Sequence, residues 1–261
     1  MPPDDPRPAS LGMYDEPEFA AANDALWAAV AARLDLPRVP ARLTRSRPLP
    51  ALWTDPDLLL AQTCGWPLVT TLAGRVRVVA TPRYALPGCE GAMHRAWIVV
   101  RAGDSAAGPA DLRGRVFAVN GWNSNSGMNL PRALFAPLAG GGRFFGAVRV
   151  TGAHRASLAA VQAGVADAAA VDCVTFGLLA RHAPGAVAGL RVVAETPPSP
   201  ALPFITRADA PAAEVAALRA ALDHPHPALG LLGVADLPAD AYAALRDLAD
   251  GAAASGYPAL A

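Results

Sequence analysis

The 261 residues include no lysine: all 22 basic residues are arginines, and 22 Asp and Glu bring the formal net charge to zero. That absence excludes a phosphate-loop lysine, a Schiff-base lysine and a lysine general base. The arginines are scattered and form no basic stripe, so nucleic acid is not an expected partner, nor is an anionic membrane surface. Cysteine is scarce: Cys64, Cys89 and Cys173 are too far apart for a zinc knuckle, and three cannot pair completely, although a Cys64–Cys89 disulfide stays open. No metal and no cofactor is expected. No apolar run nears the roughly twenty residues that span a bilayer, because Arg, Asp, Pro or Gly interrupts each one, so no transmembrane segment is expected. The start, MPPDDPRPASLGMYDEPEF, is acidic and proline-rich and has no secretory signal pattern. Either the protein is cytoplasmic, or an export signal was removed or its start misassigned.

What the chain does have is apolar residues, 53% of the total, enough for a substantial core in one large domain or two smaller lobes. Within it, one stretch reads as a site rather than scaffold: residues 111–132, DLRGRVFAVNGWNSNSGMNLPR. Val116, Phe117, Ala118 and Val119 predict a strand, Asn120 to Asn125 a polar turn, and Met128 to Leu138 a helix. Ser124 or Asn125 can cap that helix, and Ser126 and Gly127 open its first turn, where backbone N–H groups lack intrahelical acceptors. With the helix dipole, such a turn is suited to hold an anion, although Ser and Asn also cap many helices that bind nothing.

Elsewhere, Glu18–Leu34 predicts an amphipathic helix, Ala41–Thr44 a strand, Leu49–Trp53 a helical turn and Leu58–Ala61 a buried strand. That strand delivers Cys64 and Trp66 to a turn at its carboxyl end, where ligands sit in open α/β sheets; either residue can equally be packing. Arg75–Ala80 and Arg95–Arg101 are strands around a Pro/Gly loop holding Tyr84, Cys89 and His94. The small-residue segment 102–110 reads as a crossover between lobes. Regular βα alternation follows: strands at Ala147–Thr151, Ala166–Val171 and Leu190–Ala194, with helices at His154–Gly164 and Cys173–His182. A second crossover at Pro197–Pro200 leads to a strand at Leu202–Arg207 and helices at Pro211–Leu222 and Pro238–Leu248, with residues 251–261 loosely attached. If the strands before Ser124 and His154 are parallel neighbours, both loops open on one sheet edge, where His154 supplies a hydrogen bond or a charge to an anion; otherwise His154 or Thr151 caps its own helix. Asp172 ends the next strand and either accepts from a ligand or caps the helix at Cys173.

Taken together, DLRG, AVN, NSNSG, NLPRALF, VTGAHRASL and ADAAAVD resemble the phosphate/phosphonate family of ABC-transporter solute-binding proteins. The resemblance covers residues 9–207 directly and the rest by architecture. It implies an α/β, two-lobed fold of the type 2 periplasmic binding proteins, each lobe a mixed sheet flanked by helices, with a ligand cleft between the lobes. Residues 1–102 and 204–261 would form a discontinuous first lobe, and 103–203 a second lobe carrying the SNSG loop. It further implies that Ser124, Asn125, Ser126, Gly127 and His154 hold a tetrahedral oxyanion, and that Tyr14 is the aromatic residue that closes over it. Three departures bear on the ligand. Asn125 stands where the family commonly has Thr, and Val174 where members that take aminoalkyl phosphonates have an acidic side chain. Cys64 stands where an aromatic is expected, with Trp66 as compensation.

The resulting expectation is a monomeric, non-catalytic binding protein for a small phosphate- or phosphonate-like anion. It would pass that anion to an ABC-transporter permease or a sensor, in the periplasm if exported. The alternative is a cytosolic enzyme on the same scaffold acting on a phosphorylated or carboxylated small molecule. Cys64, His154 and Asp172 would then serve as nucleophile, base and orienting carboxylate.

Overall fold

The computed structural model describes residues 5–238 and 240–261. They divide into two compact α/β units, one from the described residues of 1–85 and 200–239, the other from 86–199 and 240–261.

The first unit is a five-stranded mixed sheet in the order Ala9–Ser10, Leu60–Gln62, Phe204–Arg207, Val76–Tyr84, Leu231–Ala235. Only its first pair is parallel among the described strands. Helices Ala20–Ala31 and Ala212–Leu222 pack on each other. They bury Leu26, Trp27 and Val30 from one, and Val215, Leu218 and Leu222 from the other, the three- and four-residue spacing of a helix face. A buried charge cluster ties the start of the chain to the second helix: Arg7 Nη2 lies 2.7 Å and Arg207 Nη1 2.5 Å from Glu214 Oε1.

The second unit has the strand order Ala147–Val150, Val116–Val119, Ala168–Asp172, Ala96–Arg101, Leu190–Glu195. The first three strands run parallel to one another, and Ala96–Arg101 is antiparallel to both of its neighbours. Ala168–Asp172 is central and buried along its whole length, which is why AAAVD reads as a continuous run of small apolar residues rather than an alternating one. Beneath the sheet lies an aromatic core in which Phe117 stacks on Phe145 at 4.3 Å and Phe135 and Phe144 complete the cluster. Tyr257 and Leu260 from the end of the chain are buried in the same core.

The division differs from the expected lobe boundaries at both ends. Ala96–Arg101 pairs with Ala168–Asp172 and Leu190–Glu195, so it belongs with the second unit rather than before a crossover at 102. The segment from Asp240 onward also joins the second unit: its helix runs over Ala244–Ala254 rather than 238–248 and packs on Leu130–Ala139. Residues 251–261, expected to be loose, are anchored, with Phe144 and Phe145 N–H donating to the Ala261 carbonyl oxygen at 2.7 and 3.0 Å. Leu231–Ala235, between the two helices expected at Pro211–Leu222 and Pro238–Leu248, is a strand. Gly233 interrupts its pattern at φ +132° beside a register shift, a conformation open to glycine. Ala41–Thr44 is not a strand; Thr44 N–H bonds to the Ala9 carbonyl at 2.7 Å and the segment stays irregular.

Candidate functional site

Three parallel strands and one antiparallel strand determine which side chains meet at one edge of the second sheet. Val116–Val119 lies between Ala147–Val150 and Ala168–Asp172 and is parallel to both, so the loops leaving all three strands open on the same side. Ala96 pairs with Asp172, so the short strand Met93–His94, which pairs with Ser199–Pro200 and leads into the antiparallel strand, brings His94 to that same edge. Residues distant in sequence are thereby gathered by strand direction alone.

The loop after Val119 ends in a wide first turn. Asn125–Asn129 forms a π turn, with Leu130 N–H reaching back five residues to the Asn125 carbonyl, and runs directly into helix Leu130–Ala139. Such turns widen the helix opening and recur at functional sites. Ser124 is the cap: its Oγ accepts from Gly127 N–H at 3.0 Å. Gly127 is required by close approach, because a methyl group there would overlap Asn120 Oδ1. Asn125 turns its side chain inward, donating from Nδ2 to Ser199 Oγ at 3.0 Å and accepting at Oδ1 from Asn129 Nδ2 at 3.3 Å. Asn129 also donates to the Leu245 carbonyl at 3.0 Å and accepts from Arg132 Nη2 at 3.0 Å, tying the turn to the last helix.

Ser126 Oγ lies 3.0 Å from His154 Nε2. His154 begins helix His154–Gln162 but does not cap it; Ala153 holds the cap position with no side-chain bond. Burial lowers the His154 pKa below 6.5, against the partial opposition of the Asp172 charge, so the ring is neutral at pH 7. Asp172 caps the following helix, its Oδ1 accepting from Val174 and Thr175 N–H at 2.8 and 3.0 Å. Its Oδ2 lies 2.9 Å from His94 Nδ1, both side chains almost wholly buried, an ion-pair contact without the alignment of a full hydrogen bond. Burial pushes both groups toward neutrality, yet their mutual attraction prevails: His94 is raised and Asp172 lowered, so the pair is charged.

The second unit thus brings together Ser124, Asn125, Ser126, Gly127, His154 and Asp172. His94, Asn120, Asn129 and Ser199 join them, and apart from the loop's own asparagines nothing in the local pattern announces these, because their partners lie far along the chain. Tyr14, Cys64 and Trp66 belong to the first unit. Tyr14 packs edge-on against Tyr84 with ring centroids 6.1 Å apart, and its carbonyl accepts from Asn23 Nδ2 at 2.5 Å. Cys64 is buried at the start of the short helix Gly65–Val69, and Trp66 within that helix is partly exposed.

Chemically the edge supplies donors without a net cation. One hydroxyl, one neutral imidazole and the amides of a helix opening face it, while the His94 charge is cancelled by Asp172. A nucleophile–base–carboxylate array is not formed: both Asp172 oxygens are engaged elsewhere, Oδ1 by the Val174 and Thr175 N–H groups and Oδ2 by His94, so neither is hydrogen-bonded to His154. Among the described residues, no group of His, Cys, Asp and Glu is placed to hold a metal ion, and no helix is long and apolar enough to cross a membrane.

A sequence model of the family described as ABC transporter, phosphonate, periplasmic substrate-binding protein matches residues 56–227, a span containing the Ser124–Gly127 turn, His154 and Asp172. No curated protein sequence matches the chain. Among solved structures, PhnD1 from Prochlorococcus marinus in complex with methylphosphonate superposes with a TM-score of 0.74 at 15% identity, covering 95% of this chain and 98% of that one. The binding protein component of an ABC phosphonate transporter from Pseudomonas aeruginosa gives 0.68 at 13% identity, covering 95% and 88%. XAC2383 from Xanthomonas citri, bound to ATP, gives 0.64 at 17% identity, covering 95% and 96%.

Proposed function

Because the chain belongs to the phosphonate family of periplasmic substrate-binding proteins of ABC transporters, we propose that it captures a small tetrahedral oxyanion at the turn Ser124–Gly127 and His154. It is a solute-binding protein rather than an enzyme. The observation that carries the site is the 3.0 Å approach of Ser126 Oγ and His154 Nε2 beside the opening of a fifteen-residue helical segment, 125–139. Two polar groups already paired to each other can both turn toward a ligand oxygen, with the loop amides completing the shell. Asn125 contributes its backbone, since its side chain is committed to Ser199 and Asn129. Asp172 acts by orientation and charge, holding His94 and capping the next helix rather than contacting the anion.

The ligand class follows from what the edge lacks. Val174, completely buried in the first turn after Asp172, offers no carboxylate for an ammonium group. Phosphate, phosphite and methylphosphonate fit this reading better than aminoethylphosphonate. The protein acts as a monomer that delivers its anion to a permease.

A thermal-shift panel of phosphate, phosphite, methylphosphonate, aminoethylphosphonate, sulfonates and ATP tests the proposal. At least one of the first three should raise the melting temperature, with aminoethylphosphonate weaker. The double variant Ser126→Ala, His154→Ala should remove that shift, since two charge-assisted hydrogen bonds together amount to roughly 3–6 kcal/mol, a loss of about 10²–10⁴ in affinity. An unchanged shift in the double variant would refute the site, and a response to ATP alone would refute the ligand class.

A further inference from the structure

Two thiols of the second unit face each other close to the distance at which a covalent bond forms. Cys89 Sγ and Cys173 Sγ are 3.6 Å apart although 84 positions separate them in sequence. Cys173 is the first residue of the helix that Asp172 caps and is completely buried, whereas Cys89 is partly exposed. The surrounding backbone holds them in place. Cys173 N–H donates to the Arg95 carbonyl at 3.0 Å, Arg95 N–H approaches Cys173 Sγ at 3.5 Å, and Cys89 N–H donates to the Leu86 carbonyl at 3.0 Å. Gly88, at φ +87°, lays the turn so close that any side chain there would press on the Trp97 ring and on Cys173 Cβ.

We propose that Cys89 and Cys173 form an intramolecular disulfide when the protein meets a thiol–disulfide oxidant, and that this bond fastens the turn leading to the His94 strand to the strand end at Asp172. The geometry of a disulfide demands such a facing pair, and the two sulfurs already lie against each other. Cys89, the reachable sulfur, reacts first: its thiolate attacks one sulfur of an oxidant R–S–S–R, forming a mixed disulfide and releasing RS⁻. Cys173 then loses its proton and attacks the Cys89 sulfur, forming the internal bond and releasing the second RS⁻. Two thiol protons leave and two electrons pass to the oxidant. The Cys89 contact, burial and the Asp172 charge all raise the Cys173 pKa, which fits its role as the second, resolving thiol rather than the first attacker. Cys64, buried in the first unit, serves as the internal control.

The full chain, treated with oxidised glutathione and digested without reduction, should yield a Cys89–Cys173 linked peptide pair lighter by two hydrogens, with Cys64 still alkylated by N-ethylmaleimide after denaturation. Cross-linking a loop of this length should raise the melting temperature by about 5–10 °C over the protein kept in dithiothreitol. Cys89→Ser should lose that rise and Cys64→Ser should keep it. If Cys89→Ser does not fold, peptide mapping of the unsubstituted protein decides alone. Alkylation of both Cys89 and Cys173 after oxidation, arrest as a glutathione adduct on Cys89, or linkage through Cys64 would each overturn the proposal.

Discussion

At the scale of single residues, the histidines at the second unit's candidate edge have pKa values shifted in opposite directions. His94 has a folded-state pKa raised above 6.5, so its contribution to stability is complete below about 6.5 and is lost as pH rises through the raised value. His154 has a lowered one, so stability is lost as pH falls from 6.5 through that lowered value. Asp172, lowered from 3.8, matters only in stronger acid. The stability curve should therefore peak near pH 6.5 as far as these groups govern it. Urea midpoints measured from about pH 5 upward should show His94→Gln flattening the alkaline limb and His154→Gln the acid limb. An alkaline limb that persists in His94→Gln would assign it to another group. His94→Gln should also cost roughly 3–5 kcal/mol, because it leaves the Asp172 carboxylate buried without its partner. Gly127 offers a second test at this scale. Gly127→Ala should cost about 1–3 kcal/mol through overlap with Asn120 Oδ1, and adding Asn120→Ala should recover most of it, a coupling that a purely conformational effect of the methyl group would not show.

At the scale of elements, the turn Asn125–Asn129 is held by bonds that reach far outside it. Asn129 joins Asn125 within the turn, Leu245 on the last helix and Arg132 one turn on, so Asn129→Ala would remove all three of these bonds at once. The expected loss is roughly 2–3 kcal/mol. Amides of residues 124–130 should exchange faster with solvent, and oxyanion affinity should fall with them; unchanged exchange there would show that the turn keeps its shape unaided. These long-range ties mark the border of what the sequence makes legible. Strand–loop–helix at 111–139, the position of His154 on the same edge and the capping by Asp172 all follow from local pattern plus parallel pairing. The inward rotation of Asn125 does not, because its partner Ser199 lies 74 residues away. Likewise His94 belongs to a two-residue strand, Met93–His94, too short to show periodicity, and its pairing with Asp172 appears only once Ala96 is known to pair antiparallel with that residue. LLGVA at 231–235 was obscured by its bulge at Gly233, and the wide turn at 125–129 has no periodicity of its own to distinguish it from a capped helix.

At the scale of the whole molecule, the chain changes unit at 85, 199 and again at 239, and the last of these passages is the least visible in sequence. Alanine-rich composition hides amphipathic periodicity, so the tail GAAASGYPALA reads as loose, yet Tyr257 and Leu260 are each only 2% exposed. They fill the aromatic core under the same sheet that presents Ser126 and His154. The Ala261 carbonyl oxygen accepts from both Phe144 and Phe145 N–H, and the Pro258 carbonyl accepts from Arg132 Nη1 at 2.7 Å. Ending the chain after Ser255 would expose that core and remove these acceptors. Two buried side chains at about 1.5–3 kcal/mol each, with two unsatisfied amides besides, give an expected loss of roughly 5 kcal/mol, a large fraction of the stability of a typical domain. The loss should be concentrated in the second unit. In hydrogen exchange, Val116–Val119 and Ala168–Asp172 should lose protection while Val76–Tyr84 and Phe204–Arg207 in the first unit keep theirs. The oxyanion thermal shift should disappear with the second sheet, although Ser124–Gly127 and His154 are unaltered. If protection fell equally in both units, the tail would have to stabilise more than the core it fills.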